Sequence, residues 1–251
     1  MANNVPPEYL KMVGAIPHIQ EIRGTMRKFL TIQAGNSVVD LGCGIGGETR
    51  MLCDSVGSLG QVVGIDRDLQ MIQQCAQQWK LPNVIFMVGD MRDLPFLANS
   101  FNAARTERTL QSVGNPLLAI REIWRVLKPQ ATFVAYEPNW GTLEFPASDP
   151  YLASAIRLST GVQNPYIGQN LEVLFKRAFA DVQVTPDPVT FNTLQEAESV
   201  LRISQTTQRA IDSQRITNKQ AQAWRAELEE LNEKERFSMT LHCFLVCGIK
   251  P

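Results

Sequence analysis

The chain has 251 residues, 44% of them hydrophobic and 20% charged, and a formal net charge of −1. That composition suits one α/β domain with an insertion, and its near-neutral balance supplies no field to recruit nucleic acid or an anionic membrane. The longest apolar stretch, near Leu241 to Ile249, is too short to span a bilayer.

Met1 to Leu10 lacks the basic and apolar regions of a signal peptide. Five unpatterned cysteines (Cys43, Cys53, Cys75, Cys243, Cys247) read as reduced thiols of a cytoplasmic protein. With only His18 and His242 beside them, no zinc site is expected. Residues 5–30 form a helical leader interrupted around Gly14 to Pro17, with Ile19, Ile22, Met26, Phe29 and Leu30 on one apolar stripe.

Ser37 to Leu52 (SVVDLGCGIGGETRML) is the most informative stretch. A strand closes on Asp40, a turn holds Gly42, Gly44, Gly46 and Gly47, and a helix starts at Glu48. Glycines let a ligand lie directly on the backbone, and the following helix start aims unpaired N–H groups at the same spot. Gly42, Gly44 and Gly47 also satisfy the G-x-G-x-x-G dinucleotide fingerprint, which leaves a nicotinamide-dependent oxidoreductase as an alternative. Asp40 weighs against it, because a carboxylate there repels a pyrophosphate but tolerates the ammonium and sulfonium of S-adenosylmethionine (SAM). Read as Asp40, Gly42, Gly44 and Gly46, the stretch resembles the first motif of class I SAM-dependent methyltransferases.

Gln61 to Asp66 reads as a second buried strand. Asp66 ends it at the offset from the glycines where a carboxylate accepts ribose hydroxyls. Asp68 then caps a helix carrying Leu69, Ile72, Ala76 and Trp79 at helical period. Val84 to Val88 is a third strand, followed by Gly89, Asp90, Met91 and Arg92. The resemblance places the adenine amino group on Asp90, with its neighbours flanking the ring. It places the methionine end of SAM on Asp40, Gly42, Cys43 and Gly44, and the ribose on Asp66 beside Arg67.

Phe101 to Thr106 is the fourth strand, followed by Glu107 to Gln111, and the resemblance turns this junction, with Arg105 and Thr106, toward the transferable methyl group. Asn115-Pro116 starts a helix. RVLKP (Arg125 to Pro129) and a fifth strand, Ala131 to Tyr136, look like the UbiE-like methyltransferases, although Gln130 and Ala131 replace the glycines usual there. Glu137 to Gly168 is expected to be an irregular, aromatic-rich acceptor-side insertion. Asn170 to Phe179 is a helix, and Val182 to Phe191 a sixth strand broken by Pro186 and Pro188. Two helices opened by capping boxes (Thr193 with Glu196, Thr217 with Gln220) fill residues 192–236, ahead of a last strand, Met239 to Ile249.

The expected fold is therefore a doubly wound, seven-stranded, mostly parallel α/β sheet with an antiparallel last strand and helical lid insertions. One domain, residues 1–251, includes a leader (1–34), the acceptor-side insertion (137–168) and the helical insertion (192–236). The expected reaction is methyl transfer from SAM to a small molecule, leaving S-adenosylhomocysteine (SAH). Arg108, Trp140 and Tyr166 are candidates for holding the acceptor, and Glu107, Glu137, Glu144 and His18 for acid–base work, all by position alone. No D/N-P-P-Y/F/W motif follows strand four; Asn164-Pro165-Tyr166 falls after strand five, and no Pro-Cys occurs at strand four. Both absences point away from methylation of nucleic-acid bases. A SAM- or SAH-binding protein without turnover is the other alternative, and a thiol-lined arsenic methyltransferase would need cysteines around the acceptor.

Overall fold

The computed structural model describes residues 5–251. Its strands are β1 (Ser37–Leu41), β2 (Gln61–Asp66), β3 (Val84–Val88), β4 (Phe101–Glu107), β5 (Leu127–Pro138), β6 (Ala180–Phe191) and β7 (Met239–Ile249). They form one sheet in the order β3-β2-β1-β4-β5-β7-β6. Neighbours from β3 to β5 run parallel, and β7 lies antiparallel between β5 and β6. The first four residues of the leader lie outside the described residues.

Alternation along each strand divides the core into two layers. Val38, Val62, Ala103, Val134 and Tyr136 face one side; Val39, Val63, Ala104, Phe133 and Ala135 face the other. The first layer is covered by α2 (Pro17–Phe29), α3 (Gly47–Val56), α8 (Leu194–Leu201) and α10 (Asn218–Glu233), the second by α5 (Pro116–Val126) and α7 (Ile167–Lys176). The leader begins with α1 (Pro7–Gly14), and α4 (Leu69–Gln78) follows β2. The expected caps form: Asp68 accepts from the N–H of Gln70, Asn115 from that of Leu118, and both capping boxes close.

Four expectations need correction. Residues 137–168 are not wholly irregular: β5 runs on through Pro138, and α6 (Pro150–Arg157) is capped by Asp149, with Leu152, Ala153 and Ile156 buried. α7 starts at Ile167, ahead of the expected Asn170. The helical insertion holds three helices, because α9 (Ile203–Asp212) buries only Ile203, Thr206 and Ala210 and so leaves little apolar signal. Finally, β6 continues through Pro186 and Pro188, which sit opposite Phe244 and His242. An outermost strand tolerates proline because one row of its N–H groups has no ladder partner to lose.

β1 neighbours β2 on one side and β4 on the other, so the chain reverses its winding direction there. Ligands of open α/β sheets bind beyond the strand carboxyl ends at such a switch point. A cavity of about 260 Å³ occupies that position, lined by Gly42, Asp66, Gly89, Asp90 and Glu107 from the ends of β1 to β4. Among the described residues, no helix is long and apolar enough to cross a membrane.

Candidate functional site

The glycine turn is built by local backbone geometry. The N–H groups of Gly42 and Cys43 both donate to the Ile65 carbonyl, at 2.7 and 2.9 Å, which ties the turn to the end of β2. At Gly42, φ is +74° and a Cβ would lie 2.2 Å from Thr109 Oγ1. A Gly42→Ala variant should therefore lose about 1–3 kcal/mol of stability through backbone strain and overpacking. Chemical denaturation checks this, and an unchanged midpoint would contradict the tight fit. Gly46 has φ +76° and is closed in by Phe86 and Cys75, whereas Gly47 meets nothing within 4 Å. The glycine that the turn requires is thus Gly46, the third of the methyltransferase pattern. The dinucleotide fingerprint uses Gly47 instead, so the nicotinamide alternative is not favoured.

Asp66 stands at the cavity wall. Its Oδ2 accepts from the N–H of Gly44 at 2.9 Å and its Oδ1 from that of Asp68 at 2.9 Å. Each carboxylate oxygen has capacity for a further donor, so a fixed bidentate acceptor faces the cavity. That geometry fits a ribose with two hydroxyls. Arg67 donates to the Ser112 carbonyl at 3.3 Å, closing one flank. Gly89 and Met91 also line the cavity. Asp90 lines it too, but its carboxylate is engaged by Arg92 through Nε at 3.0 Å and Nη2 at 2.5 Å, which holds its pKa below the ordinary range.

Other expected site residues are placed elsewhere. Asp40 is 1% exposed, and its carboxylate accepts from Arg105 Nη1 at 2.9 Å and Thr49 Oγ1 at 2.7 Å. It braces the turn from beneath and does not line the cavity. Arg105 also gives Nη2 to Glu107 at 2.6 Å, and both Arg105 and Thr106 are buried behind the wall. Burial works against the Arg105 charge, but the carboxylates of Asp40, Glu107 and Glu48 outweigh it and raise its pKa. Cys43 likewise sits outside the lining, its thiol pKa raised by a hydrogen bond with Cys75 and by burial. None of the five thiols lines the cavity, so the arsenic reading lacks its ligands.

The acid–base candidates fare similarly. Glu107 reaches the cavity, yet Arg23 grips it through Nε and Nη2 at 2.8 and 2.9 Å, in addition to Arg105. Burial pushes its pKa up, and the charges of Arg105 and Arg23 more than reverse this, leaving it at about 2. So weak a base is poorly matched to proton abstraction near neutrality. Glu137 is fully buried; its Oε1 accepts from the N–H groups of Thr109 and Leu110, both at 2.7 Å, and its Oε2 from that of Gln111 at 3.3 Å. It anchors the cavity wall after β4 and does not face the cavity. His18 pairs with Asp187 at 2.9 Å and Glu144 with His242 at 3.0 Å, both away from the cavity.

Arg108 and Trp140 line the opposite end of the cavity, and Trp140 Nε1 donates to Gln111. Tyr166 does not; its ring packs on Gly141, where a Cβ would meet it at 2.1 Å. Sequence reasoning missed Arg202 and Arg209 of the helical insertion and Ser112 of the β4 loop.

The family model described as a methyltransferase domain matches residues 32–202, well over half of the chain. An uncharacterised 37.1 kDa protein of transposon TN4556 from Streptomyces fradiae is 33% identical over 227 residues, covering 88% of this chain and 66% of that protein. A demethylmenaquinone methyltransferase of Staphylococcus epidermidis is 36% identical over 115 residues, 45% of this chain and 48% of the enzyme. The chain thus aligns with about half the length of that relative. The crystal structure of Haemonchus contortus phosphoethanolamine N-methyltransferase 2 in complex with SAM shares the fold, with a TM-score of 0.63 at 17% identity, covering 98% of this chain and 56% of that one. With the glycine turn, the strand order and these matches together, the chain belongs to the class I SAM-dependent methyltransferases, in their UbiE-like group.

Proposed function

We propose that this protein transfers a methyl group from SAM to a small-molecule acceptor by in-line displacement. SAM, when bound, supplies an electrophilic methyl carbon on a sulfonium. The observation that carries the reading is the Asp66 carboxylate, fixed by the Gly44 and Asp68 amides at the wall of a cavity opening from a glycine turn. In this reading Asp66 takes the ribose hydroxyls, and the backbone at Gly42 and Gly44 receives the methionine end. Asp90 reaches the adenine amino group only by sharing its carboxylate with Arg92. Asp40 acts through the turn that it braces, without touching the cofactor.

The residues of the cavity favour positioning over proton transfer. Among the described residues, its acids are Asp66, Asp68, Asp90 and Glu107, and no histidine lines it. The first three stand at the cofactor end, and Glu107 is spoken for by Arg23 and Arg105. Holding the acceptor in near-attack contact can supply ~7–11 kcal/mol of barrier lowering, and exclusion of water adds to it. The leader and the helical insertion, which contribute Tyr9 and Arg202 to the cavity, are the parts that close over it. The near-neutral net charge supports a small metabolite over nucleic acid, and the free thiols support a reducing, cytoplasmic setting.

Calorimetric titration of SAM and SAH tests the cofactor assignment. Asp66→Ala should weaken both by ~1–3 kcal/mol, about 5- to 150-fold in Kd, through lost charge-assisted hydrogen bonds. Wild-type affinity in that variant would remove Asp66 from the ribose.

A further inference from the structure

Besides the glycine turn, the cavity is lined by Arg108, Arg202 and Arg209, and by Tyr9, Trp140 and Val162. The buried network at the base of the site sets Asp40, Glu48 and Glu107 against Arg23, Arg27 and Arg105 through ion pairs of 2.6 to 2.9 Å. Arg108 comes to this network as a further cation, its Nε 3.8 Å from Glu107 and buried without a hydrogen-bond partner. Arg202 makes no ion pair among the described residues; its guanidinium lies over the Tyr9 ring, 5.4 Å from the centroid. That ring is held in place, because its hydroxyl donates to the Val200 carbonyl at 2.7 Å.

Of the eight non-glycine residues with positive φ among those described, the two that line the cavity are Arg108 and Arg202, each at φ 53°. At Arg202 this conformation is the cap between α8 and α9, which fixes where its side chain leaves the backbone. Arg202 is the residue between α8 and α9, Arg209 lies within α9, and both line the cavity. Arg209 Nη1 donates to the Thr160 carbonyl at 2.7 Å, and burial, then the Arg202 charge, lowers its pKa. The Arg202 and Arg209 guanidiniums are near enough to repel, and an anion between them would relieve that repulsion.

We propose that this part of the cavity is an oxyanion site, in which Arg108, Arg202 and Arg209 receive a carboxylate or phosphate carried by the methyl acceptor. The proposal rests on the methyl-transfer reading above and narrows its substrate class to acidic small molecules with an apolar or aromatic body. In that reading the methionine end of the cofactor lies on the Gly42 and Gly44 backbone, which leaves these three side chains to the acceptor. Guanidinium forks bind both oxyanions through paired hydrogen bonds, so the two are distinguished by experiment.

The full chain, saturated with SAH, is titrated calorimetrically with 4-hydroxybenzoate, phenyl phosphate and the neutral 4-hydroxybenzamide. At least one anion should bind about tenfold more tightly than the amide, and the tighter of the two identifies the headgroup. R202Q combined with R209Q should abolish that preference while SAH affinity stays as in the wild type; R202K should retain it. The proposal is overturned if the amide binds as well as both anions, if neither anion binds up to about 10 mM, equivalent to roughly 3 kcal/mol, or if the preference survives in the double variant. The SAH titration separates the two levels. Absent SAH binding defeats the methyl-transfer reading, whereas intact SAH binding without anion preference defeats the oxyanion site alone.

Discussion

Arg105→Met should lose about 3–5 kcal/mol of unfolding free energy, the usual cost of stripping one partner from a buried ion pair. Arg105 is 3% exposed and joins two carboxylates that are themselves buried, Asp40 at 2.9 Å and Glu107 at 2.6 Å. Without it, Asp40 keeps only the Thr49 hydroxyl, and Glu107 leans on Arg23. The acid limb should move as well. Glu107 has its pKa depressed from 4.5 to about 2, so its contribution to stability is present above 4.5 and disappears as pH falls through about 2. In the variant that pKa climbs, and acid unfolding should begin at higher pH. Urea denaturation across a pH series measures both effects. A loss below about 1 kcal/mol, the range of an exposed pair, would show that the network is not the brace described above.

Glu137→Ala should be the second large effect, about 3 kcal/mol, because three backbone N–H groups of the wall after β4 lose their acceptor. Thr109, Gln111 and Ser112 line the cavity, so SAH affinity should fall in parallel. The pH dependence has the opposite sign to that of Glu107. Burial raises the Glu137 pKa from 4.5 to about 8, against the pull of the three N–H groups and Arg108. The folded state therefore holds a proton that the unfolded chain has released. Its stabilising share is complete below 4.5 and is lost as pH rises through about 8. Glu137→Gln keeps an acceptor oxygen but cannot titrate, so its stability should decline less between pH ~5 and ~8. A decline as steep as that of the wild type would assign the slope to another group.

Much of this architecture can be read along the chain because its cues are local. Valine-rich runs ending in Asp40, Asp66 and Val88, each followed by a glycine or a capping acid, mark the parallel strands and the edge they share. Capping boxes at Thr193 and Thr217 mark helix starts wherever they occur. The partnerships that decide what Asp40 and Glu107 do are of another kind. Arg105 is 65 residues from Asp40 and Arg23 is 84 from Glu107, so no spacing rule connects them. In the family pattern Asp40 looks like a ligand-contacting acid, and only the register of β1 beside β4, with Asp40 opposite Arg105, shows it sealed inside. Arg202 and Arg209 were invisible for the same reason. They sit around a helix with three buried residues, and its position over the cavity comes from tertiary packing alone.

The two prolines of β6 have a consequence for assembly. Pro186 and Pro188 stand two residues apart on this outermost strand, and neither nitrogen carries a hydrogen to offer. A second copy arriving at that flank finds a backbone unable to zip onto it. Of the two outermost strands, β3 and β6, it is β6 that carries this guard against edge-to-edge pairing.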